Sequence, residues 1–101
     1  MTDWAQIVKL YDQLLALNPT PIVELNRAVA VAELDGPEVA LAVVERLDLA
    51  GYHPFHVTRA ELLRRLGRDQ ESRAAYDAAL GLVDNEAERA HLAARRDSLP
   101  G

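Results

Sequence analysis

A chain of 101 residues, half of them hydrophobic and 27% charged, has globular composition and room for one modest core, which excludes disorder and a second large domain. Cysteine is absent, so disulfide and thiolate chemistry are excluded as well. The formal net charge is −5. Through residue 50 only Lys9, Arg27 and Arg46 stand against eight acids, which leaves that half without a footprint for a phosphate backbone.

No apolar run reaches bilayer length, and no basic-then-apolar leader opens the chain. The expectation is a cytoplasmic protein with no membrane contact and no direct nucleic-acid contact. Alanine and leucine dominate while β-branched and aromatic residues are sparse, which favours helix.

In chain order, six helices are expected. The first, 3–18, opens at Asp3 with Gln6 three residues on, the spacing of a capping box. Ile7, Leu10, Leu14 and Leu17 follow helical spacing along it, with Tyr11 beside them. The second, 20–34, opens on Thr20-Pro21, where threonine caps and proline fits the first turn. Its "AVAVAEL" alternates only between apolar types and sits in a helix-length apolar stretch. The third, 37–48, opens on Gly36-Pro37. The fourth, 53–66, opens on His53-Pro54, and because histidine is a weak cap the proline carries that start. Leu62, Leu63 and Leu66 mark its inner side.

Gly67 closes the fourth helix and releases the fifth, 69–83. There Ala75, Ala79 and Leu82, with Tyr76 and Leu80, form the inner side. The sixth, 85–97, starts at Asn85 with Glu88 three residues on and carries charge on most sides. Connections this short force neighbours to turn back as αα-hairpins. Alanine-rich faces let backbones approach closely, which suits thin stacked helices and not a wide cofactor-holding bundle. No cofactor is expected.

The chain nearly repeats a phrase, "YDQLLALNP" from Tyr11 and "YDAALGLVD" from Tyr76. Tyr11, Val44 and Tyr76 fall about 33 residues apart, near the helix–turn–helix period of tetratricopeptide repeats. The expected fold is therefore all-α, a short tetratricopeptide-like right-handed solenoid of about six antiparallel helices. Residues 1–18 read as a half repeat, 20–49 as a degenerate repeat, 53–83 as the best repeat and 85–97 as a capping helix. Trp4, Ile7, Val8 and Tyr11 also match the spacing of the first-helix signature, with valine for glycine. Treating 3–18 as a second helix keeps the period throughout, and the two echoing tyrosines should then do equivalent wedge jobs.

Four stretches carry a resemblance to a known family: "DWAQIVKLYDQLL", "NPTPIVELNRAVAVAELDGP", "YHPFHVTRAELLRRLGR" and "NEAERAHL". Asp3-Trp4, then Leu25 to Ala30, then Tyr52-His53 occur in order, and the stretches cover almost the whole chain. The chain resembles the C-terminal tetratricopeptide-like extension of bacterial extracytoplasmic-function RNA polymerase sigma factors. The resemblance implies a piece of a longer sigma factor that regulates transcription through protein contacts, with the sigma domains or polymerase as partner. Thr58 and Ser72 stand where alanine is usual, and each hydroxyl is small enough to fit.

In such a stack the first helices of successive repeats line the concave face. Asn26, Arg27, Val29 and Glu33 on one, with Glu61, Arg64 and Arg65 on the next, are the candidate partner-binding residues. The bland alternative is that Asn26 ties down a loop and the arginines pair with Glu61, Asp69 and Glu71. Arginine is enriched at binding hot spots, so Arg64 and Arg65 are the best anchors. Trp4, Ile7 and Val8 are expected to leave an apolar face for self-association, because helix 3–18 has no hairpin partner before it.

His53 and His56, three apart, fall short of the three ligands a metal needs. His53 is expected to cap its helix, His56 to pack or face solvent, and His91 to be half-buried. The two serines, Ser72 and Ser98, and the acids Glu86 and Glu88 assemble no catalytic set, and no glycine-rich phosphate loop exists. An enzyme is not expected. A free-standing scaffold for an unrelated peptide, and a small-ligand sensor with its pocket between helices 20–34 and 53–66, remain the rival readings.

Overall fold

The computed structural model describes residues 2–100; the outer limits of the half repeat at Met1 and of the domain at Gly101 lie outside the described residues. These residues hold six α-helices and no strand: α1 Trp4–Leu17, α2 Pro21–Asp35, α3 Pro37–Val44, α4 His53–Arg65, α5 Asp69–Leu80 and α6 Glu86–Asp97. None is long and apolar enough to cross a membrane.

Three starts are set by side-chain caps, each satisfying a backbone donor that has no partner within its helix. The Asp3 carboxylate accepts from the Gln6 N–H at 3.1 Å, the Thr20 hydroxyl oxygen from Val23 at 3.2 Å, and the Asn85 amide oxygen from Glu88 at 2.9 Å. Two turns need glycine. Gly36, between α2 and α3, has φ 98° and Gly67, after α4, has φ 74°, both in the region that costs a side chain strain. The α4 cap is Tyr52 and makes no side-chain bond. His53 is instead the first helical residue, so it does not cap.

Two helices end earlier than the apolar pattern suggests. The third stops at Val44, because Arg46 N–H turns to the Val43 carbonyl and Leu47 N–H to that of Val44, the tightened last turn that often closes a helix. The fifth stops at Leu80, and Leu82 N–H bonds the Ala79 carbonyl. Leu82 consequently faces solvent at 43% exposure, not the core.

The chain forms two compact units, one up to Leu49 and one from Ala50. In the first, α2 packs against both α1 and α3. Its buried residues Leu25, Ala28, Ala30, Val31 and Ala32 place small side chains where neighbouring backbones come close. Ala40, Leu41 and Val44 are buried on α3. Only Val8 of α1 is buried.

In the second unit α5 is the central helix, packed against α4 and α6. Phe55, Ala60, Leu62 and Leu63 of α4 are buried, as are Ser72, Ala75, Tyr76, Ala79 and Leu80 of α5. Ser72 takes the position of a small apolar residue by donating its hydroxyl to the Ala60 carbonyl at 2.8 Å. The sixth helix buries only Leu92 and is tied to α4 and α5 by polar contacts as well. Arg89 donates through Nη1 to the carbonyls of Leu80 and, at 2.9 Å, Val83, closing the C-terminal end of α5 from outside.

The two echoing tyrosines do not have like surroundings. Tyr76 is wholly buried, with its hydroxyl donating to Glu61 Oε1 at 2.6 Å. Tyr11 is half-buried on α1. The expectation of equivalent wedges fails at the first copy; Val44, in the middle copy, is fully buried as Tyr76 is.

Candidate functional site

Asn26 lies on an exposed stripe of α2, formed with Ile22, Val29 and Glu33 at four-, three- and four-residue steps. Ile22 and Val29 are 41% and 45% exposed. Those steps hold one face of a helix, so the stripe mixes apolar and polar groups along about three turns. Arg27 turns the other way. Its Nε donates to Asp12 Oδ1 at 2.7 Å, an ion pair that joins α2 to α1 and commits the guanidinium to the fold.

The second candidate cluster is a polar network. Glu61 accepts from Arg95 Nε at 2.6 Å, from Arg95 Nη2 at 2.7 Å and from the Tyr76 hydroxyl. The two-pronged arginine–carboxylate contact is the strong form of such a pair. Burial pushes the Glu61 carboxyl up, but the bonds from Arg95 and Tyr76 and the Arg95 and Arg64 charges outweigh it and hold it below the ordinary value of 4.5. Burial, then the bond to Glu61, raises the Tyr76 phenol. The bonds Arg95 donates to Glu61 and to the Tyr76 oxygen raise Arg95.

Glu61 is thus an internal bracket and not a free anchor. Arg64 stands beside it with one guanidinium nitrogen, Nη1, buried without an acceptor, while its charge acts on Glu61. Arg65 is exposed in the last turn of α4. Glu71 pairs with Arg68, whose Nη2 lies 2.6 Å from Glu71 Oε2.

A second link crosses from α4 to α6. His53 Nε2 lies 3.0 Å from Glu88 Oε1. The two links join residues 35 apart (His53, Glu88) and 34 apart (Glu61, Arg95). Since the contacts advance together along both helices, α4 and α6 run in the same direction with α5 returning between them. The sequence pointed to Glu61 but missed Arg95. A 34-residue tetratricopeptide spacing counted from position 61 lands on 95, a signal that treating 85–97 only as a cap hides.

The histidines part ways: His56 Nε2 sits 2.7 Å from the Ala50 carbonyl, and His91 is exposed, not half-buried. Among the described residues no three His, Asp or Glu side chains gather closely enough to hold a metal.

The anticipated self-association face also shifts. Val8 is buried and Trp4 and Ile7 are half-buried; Trp4 lines a hollow with Leu34 at the end of α2. Leu10, Leu14 and Leu17 are the exposed ones, at 53%, 42% and 85%. A cleft of about 390 Å³ lies within the first unit, lined by Leu15, Glu24, Arg27, Val43, Arg46 and Leu47. It draws on α1, α2, the end of α3 and the turn after it, so it shares only helix 20–34 with the pocket expected between helices 20–34 and 53–66.

No family model matches the chain, and no solved structure matches it. An uncharacterized protein of Rhizobium meliloti (strain 1021) is 48% identical over 100 residues, which are 97% of this chain and 24% of that protein. The chain therefore spans about a quarter of the length of the curated relative it matches.

Proposed function

We propose that this chain is a tetratricopeptide-like interaction module and the regulatory part of an alternative RNA polymerase sigma factor. It acts by non-covalent docking onto the sigma domains or polymerase. The observation that carries the module reading is the offset of α4 and α6, parallel helices joined 34 and 35 residues apart across a returning α5. That is how first helices of successive repeats are related when the repeat is about 34 residues long. Under this reading α4–α5 is one repeat, α6 begins the next, and the helices build a right-handed solenoid.

The sigma-factor part rests on the resemblance of "NPTPIVELNRAVAVAELDGP" and its companion stretches. The length of the Rhizobium relative, about four times that of the match, leaves room for further domains there. Arg64, Arg65 and Asn26 are the first residues to mutate.

The test adds this chain in trans to a sigma-dependent transcription reaction, with binding to the sigma domains and to core polymerase measured in parallel. Altered promoter-specific transcript with binding to either component supports the reading. Absence of binding to both overturns the sigma role and leaves a scaffold for another peptide. A second reading, a sensor of small molecules, is favoured by the cleft, where Glu24, Arg27 and Arg46 stand over Leu15, Val43 and Leu47. Thermal shift with apolar amino acids and small carboxylates tests it; stabilisation abolished in Arg46→Ala supports a sensor.

A further inference from the structure

The first helix carries two apolar seams. One is Trp4, Val8, Tyr11 and Leu15, buried or half-buried on the side that packs in the first unit. The other is Ile7, Leu10, Leu14 and Leu17, in which all three leucines are exposed. At 3.6 residues per turn the seams lie roughly a third of a turn apart around the helix. Each keeps alternating steps of three and four, the spacing with which two helices interlock. Leu17, at 85% exposure, leaves nearly a whole leucine in water.

We propose that two copies of this chain associate through the outer seam of α1, helix against helix about a two-fold axis. The occupant follows from the charges beside the seam. The positions flanking it are Gln6, Tyr11, Gln13 and Asn18, all uncharged, and the one acid in line with it, Asp3, stands at the N-cap with its carboxylate accepting from the Gln6 N–H. A chain of net charge −5 repels its copy over most approaches, but here identical surfaces meet without like charges opposed. A two-fold interface needs one self-complementary patch, and a four-residue leucine–isoleucine seam with neutral flanks is one. Because the attraction is apolar and the opposing force is net charge, salt should strengthen the association by screening.

Sedimentation of the chain at concentrations up to about 100 μM, well above a micromolar Kd, tests this. Dimer is expected, with Kd falling as salt is raised. Leu14→Lys should raise Kd on the order of 100-fold, since every dimer loses two buried leucines and gains two like charges. Val39→Lys, at a 51% exposed apolar position on α3, should leave it unchanged. Circular dichroism and thermal midpoints confirm that both variants fold; should Leu14→Lys fail to, Leu17→Ala replaces it. A wild type that stays monomeric, a dimer indifferent to Leu14→Lys and Leu17→Ala, or a dimer dissolved by salt overturns the proposal. Each of these results leaves the transcription reading standing or falling on its own test.

Discussion

The two units solve the same packing problem with different materials. Among the described residues, seven of the eight exposed large hydrophobics, from Leu10 to Val39, lie in the first, against Leu82 in the second. The second is laced by Glu61–Arg95, His53–Glu88 and Arg96–Asp77 contacts. In the first, Arg27–Asp12 joins α1 to α2. A helix held by apolar contact on one side is left with apolar surface on the next when its neighbours run out. A helix held by ion pairs can face water with its remaining sides. The exposed apolar residues gather in the first unit, where the proposed seam lies, and Tyr11 is half-buried there while Tyr76 is wholly buried in the second.

The sharpest way to break this comparison is to truncate both tyrosines. Tyr76→Ala should cost about 3–5 kcal/mol, the range for a buried aromatic. Tyr11→Ala should cost less than half of that, since its ring is already partly in water. Urea unfolding followed by circular dichroism measures both, and Trp4, the single tryptophan, reports the first unit. Equal losses would mean that the units are packed alike after all.

Acid should separate the network from the apolar unit next. Because the folded Glu61 carboxyl lies below its ordinary value of 4.5, it adds stability above that pH. The contribution disappears as pH falls through the lowered value. Glu61→Gln should cost about 1 kcal/mol near neutrality, discounted because both partners are a third exposed. It should also flatten the acid limb of stability against pH; an unchanged limb would assign acid sensitivity elsewhere. The smallest effect belongs to Ser72→Ala, which removes the hydroxyl bonded to Ala60 and should shift stability by about 1 kcal/mol or less. A loss of several kcal/mol there would show that the hydroxyl, and not its small size, holds α4 to α5.

Local chemistry was the legible part of the fold. Asp3, Thr20 and Asn85 cap helices where the residue order says they should, because a cap is decided within four residues. The ends of α3 and α5 were not legible. No glycine or proline stands at Glu45 or Arg46 to mark the end of α3, and at α5 the glycine that follows Leu80, Gly81, is masked by the apolar spacing that runs on to Leu82. At the candidate site, Asn26 and Arg65 lie on the surface as their positions suggest. Arg27 and Glu61 are engaged by Asp12 and Arg95, residues 15 and 34 positions away, which composition and periodicity on a single helix do not reveal. The outer seam of α1 was written in the spacing of Ile7, Leu10, Leu14 and Leu17, but spacing does not say which of two seams finds a neighbour.

The Arg89 side chain, which seals the carbonyls at Leu80 and Val83, has a bearing on how the polypeptide can be divided. A fragment ending before Glu86 would discard one amphipathic segment on paper. In water it would also strip the lid from the preceding segment, whose final carbonyls must then find solvent. Fraying would spread back toward Tyr76, and a protease probing such a fragment should nick it well inside the new boundary.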